Sequence, residues 1–309
     1  MKQIIQPVDA EILLEELHKN GRVRMTNNAN NEIYCINNHT APNVMLEIGR
    51  LRELSFRYAG GGTGKEADID IYDTAEEPYQ QLIVWDPERN EIIGGYRYIL
   101  GNKAPKDGHG KLLIATRGLF EFSDEFKTDY FPYTIELGRS FVQPDYQSTK
   151  MGRKSLFALD NLWDGLGYLV VNNPEMKYFF GKVTMYTNFQ KKARDLILYF
   201  MDKHFGDKDD LVYPREPLPY HTEIEYMKEI LVADNYKDDY KILSKKVRDL
   251  GENIPPLINS YMNLSPTMKS FGTAMNYKFG EVEETGIQVT IADIYDAKKE
   301  RHIDSLKNE

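Results

Sequence analysis

Three charged residues lie at positions where the surrounding residues read as β-strand. Arg97 falls inside Ile92-Ile-Gly-Gly-Tyr-Arg-Tyr-Ile-Leu100, and Glu136 and Arg139 fall inside Thr134-Ile-Glu-Leu-Gly-Arg-Ser-Phe141. An ion removed from water without a partner is strongly destabilising, so these groups must pair with one another, reach solvent at a cleft, or bind something polar. A structural ion pair and a functional site both meet that condition. The side-chain period of a regular strand is two, which would send residues 136 and 139 to opposite faces. A bulge at Gly138 would bring both to one side and splay the strand from its neighbour, giving a ligand access to the sheet.

Other residue types could contribute to the same chemistry. Asp70 and Asp73 stand on either side of Ile71-Tyr72. Paired acids can hold an ammonium group, orient a water or accept a proton, and they can equally cap a turn or a short helix. Arg52 and Phe56 are four apart and share one flank of a helical stripe made by Val44, Ile48, Leu51 and Leu54. The segment Gln147 to Ser155 joins a strand end to a helix start and carries Lys150, Gly152, Arg153 and Lys154. Backbone N–H groups and cations at such a junction can cradle a phosphate, although an exposed basic first turn would look the same. The full Gly-x-x-x-x-Gly-Lys-Ser/Thr pattern is missing.

The six histidines are scattered without a His-Glu-x-x-His motif, and no Gly-x-Ser-x-Gly elbow occurs. Cys35 is the single cysteine, so an intramolecular disulfide and a multi-cysteine zinc cluster are both excluded and no metal is expected. Its thiol reads as buried or inert. The aromatics Phe120, Phe122, Phe126, Tyr130, Phe131 and Tyr133 could form core or line an apolar slot.

The elements that must position these groups follow from periodicity. Residues 9 to 19 predict an amphipathic helix, followed by strand-like pieces at 22 to 26 and 32 to 36 around an Asn-rich turn. Pro42-Asn43 starts the next helix. Gln81 to Trp85 and Ile92 to Leu100 predict an antiparallel hairpin, and Thr134 to Phe141 a third strand. A helix with Leu156, Leu159, Trp163 and Leu166 on its inner side comes next, then a strand at 179 to 186 and a helix with Ala193, Leu196, Ile197, Phe200 and Met201 inward. Residues 206 to 250 read as a charged helical insertion, Leu257 to Met262 as a short helix, Gly286 to Ile294 as the last strand, and the tail from Asp296 as a charged helix or a frayed end. The sum is an α/β or α+β fold with a mixed sheet.

The charge balance of the 309 residues is 39 − 48 = −9, which disfavours a generic nucleic-acid binder. The N-terminal residues are interrupted by Asp9, Glu11, Glu15 and Glu16, unlike a secretory signal, and no apolar run approaches the roughly 20 residues of a membrane span. A cytoplasmic location is expected, with any membrane contact peripheral.

Taken in order, Leu51-Arg-Glu-Leu-Ser-Phe56, Asp70-Ile-Tyr-Asp73, Gln81-Leu-Ile-Val-Trp85, Gly94-Gly-Tyr-Arg97 and Glu136-Leu-Gly-Arg-Ser-Phe-Val-Gln-Pro-Asp-Tyr146 resemble a branch of the Gcn5-related (GNAT-like) acyltransferases. That branch holds the ornithine- and glycine-lipid N-acyltransferases, often labelled hemolysin-like, with acyl-homoserine-lactone synthases as more distant relatives. The resemblance runs from about residue 44 to 294 and continues through Pro255 to Phe279. It implies a mixed, mostly antiparallel central sheet flanked by helices over residues 41–295, after an N-terminal arm at 1–40 and before a charged tail at 296–309.

The resemblance further implies transfer of a long-chain fatty acyl group from a thioester to the α-amino group of an amino acid, glycine or ornithine, in aminolipid biosynthesis. Carried over residue by residue, it implies catalytic roles for Glu136, Arg139, Asp70 and Asp73, and substrate binding by Arg52, Phe56 and Arg97. Donor binding falls to Lys150, Gly152, Arg153 and Lys154. No bound cofactor is implied. Acyl carrier protein, with acyl-CoA as the second choice, is the implied co-substrate and partner, because Gln147 is followed by four residues before Gly152 and the usual pyrophosphate loop is altered. Gln143 stands where relatives commonly have histidine. An autoinducer-synthase-like enzyme and a non-catalytic acyl-chain or partner-binding protein are the competing readings.

Overall fold

The computed structural model describes residues 1–147 and 153–307. In chain order its elements are α1 (Ala10–Asn20), β1 (Arg24–Met25), β2 (Glu32–Ile36), α2 (Pro42–Tyr58), α3 (Ile71–Thr74), β3 (Gln80–Asp86), β4 (Glu91–Leu100), β5 (Phe120–Phe122) and β6 (Thr134–Val142). There follow α4 (Pro144–Gln147), α5 (Arg153–Asn172), β7 (Tyr178–Met185), α6 (Lys191–Phe205), β8 (Val212–Pro214), α7 (Ile224–Ile230) and α8 (Tyr236–Asp249). The chain closes with α9 (Pro256–Met262), β9 (Lys269–Asn276), β10 (Val282–Thr290), α10 (Asp296–Lys299) and α11 (Ser305–Lys307). They form two compact units: Met1–Ala115 with Pro132–Lys177 and Asp296–Glu309, and Thr116–Phe131 with Tyr178–Tyr295.

The first unit is built on the antiparallel run β1-β2-β3-β4-β6. The expected hairpin forms because β3 is a run of β-branched and aromatic residues and the turn after it is locked locally. Asp86 Oδ1 accepts from the backbone of Glu88 at 3.0 Å, and Asn90 takes the left-handed φ of 55° that closes the turn. Gly94 and Gly95 keep the centre of β4 pressed between its neighbours. A Cβ on Gly94 would meet the Phe141 carbonyl at 2.3 Å, and one on Gly95 the Leu82 carbonyl at 2.5 Å.

One face of this sheet carries α1 and α2. Leu13, Leu17, Val44, Met45, Ile48 and Leu51 pack there on Tyr34, Ile36, Ile83, Trp85 and Phe141, each buried aliphatic contributing about 1.5–3 kcal/mol. α5 covers the other face so closely that a Cβ on Gly165 would lie 2.3 Å from Leu82 Cδ2. The inward side of α5 is Ala158, Leu162, Leu166 and Leu169, whereas Leu156 is 74% exposed. The predicted stripe through Leu156 and Leu159 is therefore out of phase with the buried side at its first turn. The tail is ordered helix, with His302 Nδ1 against Asp164 Oδ1 at 2.8 Å and Ile303 buried.

In the second unit β10 lies between β7 and β9, antiparallel to both, with α6 alongside. β5 pairs with β8. Phe120, Phe126 and Phe131 are fully buried and Phe126 packs on Phe180 at 5.3 Å, so these rings are core, whereas Tyr133 is 40% exposed. β9 is a strand that hydrophobic periodicity does not predict, and β10 begins at Val282, four residues before the predicted start.

Candidate active site

Strand register decides which polar groups meet. Gln81 lies opposite Arg97, Arg97 opposite Gly138 and Ile99 opposite Glu136, so Gln81, Arg97 and Glu136 share the face covered by α2. Arg52 reaches down from α2 to that face. Its Nη1 lies 3.3 Å from Asp73 Oδ1, its Nη2 donates to the Gln81 amide oxygen, and Gln81 Nε2 donates to Asp73 Oδ1 at 3.1 Å.

Asp70 and Asp73 do both things that their spacing allowed. They form a capping box on α3, with Asp70 Oδ1 accepting from Tyr72 N at 2.9 Å and Asp73 Oδ2 accepting from Asp70 N at 3.1 Å. Their remaining capacity takes Arg97, whose Nη1 lies 2.8 Å from Asp70 Oδ2 and 3.3 Å from Asp73 Oδ2. Burial opposes ionisation of Asp73, but the Arg52 and Arg97 guanidiniums outweigh it and hold the carboxyl well below the usual carboxylate range. Burial likewise works against the Arg97 charge, and Asp73 and Asp70 reverse that and raise its pKa. At Arg52 burial prevails over Asp73 and lowers it.

The bulge exists, one residue later than expected. The three β4 residues Gly95 to Arg97 span the same stretch as the four residues from Phe141 back to Gly138, and Arg139 itself takes the left-handed φ of 50°. Pairing with β4 continues on both sides, so the strand does not splay from that neighbour. The extra residue turns Arg139 toward the acids, with Nε 2.7 Å from Asp68 Oδ2 and Nη2 3.6 Å from Asp70 Oδ2. Three guanidiniums thus share three carboxylates. Arg52 and Asp73 have no exposed side-chain surface, whereas Arg139 is 12% and Asp70 23% exposed. The network is deepest under α2 and meets solvent at Asp70 and Arg139.

Glu136 is buried beside this network and accepts from the Tyr79 hydroxyl. Tyr79 Oη in turn accepts from Ala115 N at 2.9 Å, and the Tyr79 ring lies 5.2 Å under the Arg97 guanidinium. Burial first, and the Glu136 charge second, push the phenol well above its ordinary pKa.

The structure therefore brings Arg52, Asp70, Asp73, Arg97 and Arg139 into one network, with Glu136 adjoining through Tyr79. Phe56 instead packs against the apolar cluster around Leu51 and Ile69. Lys150 and Gly152 lie outside the described residues, as do the side chains of Arg153 and Lys154 at the start of α5. Gln143 Nε2 donates to the Ile92 carbonyl at 2.5 Å, holding the end of β6 to β4. Sequence reasoning missed Asp68, Tyr79 and Gln81. Gln81 carried a signal, the second of two amides leading into an apolar strand run; Tyr79 carried none.

On the opposite sheet face lies a cavity of about 330 Å³ lined by Cys35, Gln80, Tyr98, Lys103, Tyr168 and Asn172 among others. Burial pushes the Cys35 thiol up to about 12, which leaves it protonated and unreactive. Among the described residues no group of three or more His, Cys, Asp or Glu could hold a metal ion, and no helix is long and apolar enough to cross a membrane.

A mixed, mostly antiparallel sheet flanked by helices, with charged strand residues gathered on one face, is the setting of a GNAT-type acyltransferase. Residues 51–155 match the Acetyltransferase (GNAT) domain family, and the chain belongs to the GNAT acyltransferases and is an acyltransferase. It is 57% identical over 306 residues to the glycine N(alpha)-acyltransferase of Phocaeicola vulgatus, covering 99% of this chain and 94% of that protein. It is also 57% identical to the protein of the same name from Bacteroides thetaiotaomicron, covering 99% and 91%. Among solved structures it is similar to a CoA-dependent acyl-homoserine lactone synthase with SAM and isopentyl-CoA, at a TM-score of 0.31 and 14% identity over 54% of this chain and 72% of that one.

Proposed function

We propose that this enzyme moves a long-chain fatty acyl group from a thioester to the α-amino group of glycine, forming an N-acylglycine that enters aminolipid synthesis. The observation that carries the reading is the near full-length identity of 57% with two glycine N(alpha)-acyltransferases.

The buried network suits the acceptor. Glycine arrives as a zwitterion, and Asp70 and Arg139, the two members that meet solvent, offer a carboxylate for its ammonium and a guanidinium for its carboxylate. Arg52, Arg97, Asp68 and Asp73 hold that pair in place. Glu136 takes a proton from the ammonium, directly or through water, and the freed nitrogen lone pair attacks the thioester carbonyl carbon. The new C–N bond gives a tetrahedral oxyanion. Its collapse breaks the C–S bond, the thiolate leaves and is protonated by the hydrogen that the amide nitrogen sheds, and one proton is released overall.

Acyl carrier protein is the donor assigned here, with Lys150, Arg153 and Lys154 as the basic contacts for its acidic surface. Product release at the inner membrane face, through peripheral contact, fits an acylated amino acid that partitions into lipid. Purified enzyme, long-chain acyl carrier protein, acyl-CoA in a parallel arm, and glycine, ornithine or serine as acceptors test this by product mass. N-acylglycine with the carrier donor is expected. Acylation of ornithine or serine in its place would correct the acceptor, and no acylated amino acid in any mixture would overturn the reading.

A further inference from the structure

We infer that Tyr79 is a positioning residue for Glu136: its hydroxyl holds one carboxylate oxygen and keeps the side chain as an ionised acceptor turned to the substrate amine. The inference rests on the function proposed above, in which Glu136 is the proton acceptor.

A phenol has one proton to donate and lone pairs to accept with. The backbone N–H of Ala115 points at Tyr79 Oη from 2.9 Å, which occupies the oxygen as an acceptor. The hydroxyl proton is thereby left for Glu136 Oε2, and this O–H to carboxylate bond is of the charge-assisted kind. Tyr79 has little freedom to do otherwise. It is 2% exposed, its backbone N–H donates to the Tyr72 carbonyl at 2.8 Å, and its ring meets the Tyr72 ring edge-on at 5.7 Å.

The charges facing the pair come from every element around it. Arg97 on β4 lies over the ring, Asp70 and Asp73 on the α3 segment hold that guanidinium, Tyr72 closes one side, and Arg139 on β6 shares Asp70. Because burial keeps the phenol protonated, Tyr79 remains a donor through the working range and never competes as a base. A hydrogen bond to the ionised form of an acid favours that form. Removing it should make Glu136 harder to ionise, so the rate would be lost first on the acidic side.

Tyr79→Phe removes the hydroxyl, and 3-fluorotyrosine at position 79 keeps the hydroxyl while making the phenol a stronger donor. With Tyr79→Phe, kcat should fall about 10- to 100-fold, the loss expected of one hydrogen bond to a charged group, while the glycine KM stays within about two-fold. The acidic limb of the kcat/KM profile should move about one pH unit upward in Tyr79→Phe and downward in the fluorotyrosine protein. Glu136→Gln should remove the limb, and adding Tyr79→Phe to it should cost nothing further.

Infrared titration of the Glu136 carboxyl, assigned by its absence in Glu136→Gln, reads the same displacement without turnover. If glycine proves the wrong acceptor, the infrared shift still stands or falls on its own. Equal loss at every pH, losses that multiply in the double variant, or an unmoved carboxyl band in both Tyr79 proteins would each overturn the inference.

Discussion

In the second unit Arg194 on α6 donates to Glu283 on β10 at 2.6 Å, to Asp195, and to the Pro219 carbonyl at 3.1 Å. Asp195 completes the arrangement by accepting from the backbone of His221 and Thr222 at 2.8 and 2.7 Å. In the first unit Arg52, Arg97 and Arg139 are shared among Asp68, Asp70 and Asp73, and the network meets solvent at Asp70 and Arg139. Both networks bury opposite charges, yet one ties a helix and a strand to a loop backbone while the other ends in two ions of opposite sign at the surface. Burial of charge alone therefore does not mark a site. The difference is that the partly exposed edge of the first network carries both signs, Asp70 and Arg139, whereas the second reaches solvent through the Lys191 cation beside Glu283.

The largest effects should separate the two networks by stability against turnover. Arg194→Met and Arg52→Met each strip a cation from buried carboxylates and should each destabilise by about 3–5 kcal/mol in urea melts. Only Arg52→Met should also depress kcat/KM of the folded fraction; an equal kinetic loss in Arg194→Met would dissolve the distinction. Asp70→Asn sharpens it from the other side. That variant should raise the glycine KM about 10- to 100-fold while destabilising less than Arg52→Met does, because Asp73 still pairs with Arg97, and steady-state kinetics beside thermal melts would expose the reverse pattern.

Acid titration gives a smaller effect. Asp73 has a folded pKa below its unfolded value, so its stabilisation is full above about pH 4 and is lost as pH falls through the folded value. The melting temperature of the unsubstituted protein should drop more steeply below about pH 4 than that of Asp73→Asn. Parallel curves would mean that other carboxylates govern acid unfolding. The smallest effect is expected at Cys35, across the sheet from the network. Its thiol, pushed up to about 12, should alkylate slowly at neutral pH, and Cys35→Ala should leave kcat/KM within about two-fold; rapid labelling with loss of activity would contradict this.

Much of the first unit was legible because its sequence states its own geometry. The hairpin announced itself through β-branched runs around Asp86 to Asn90, and Arg97, Glu136 and Arg139 stood out as ions in apolar company. The second unit hid its strands. β9 reads Lys-Ser-Phe-Gly-Thr-Ala-Met-Asn with a glycine at φ 82°, too small and polar for a strand signal. β10 carries Glu283 and Glu284 just after its first residue, and they look solvated until Arg194 and Lys182 are seen to neutralise them from other elements. Tyr79 was one of 21 tyrosines, and its role depends on Ala115 and Glu136, residues distant in sequence that only the fold brings within reach.

The backbone at Arg139 has an evolutionary corollary. A side chain at φ 50° is disfavoured by about 1 kcal/mol or more relative to glycine, which adopts that conformation freely. Arg139→Gly would relieve that strain but strip the buried Asp68 carboxylate of a partner 2.7 Å away, a larger loss, so the ion pair keeps the arginine on a backbone that glycine would suit better.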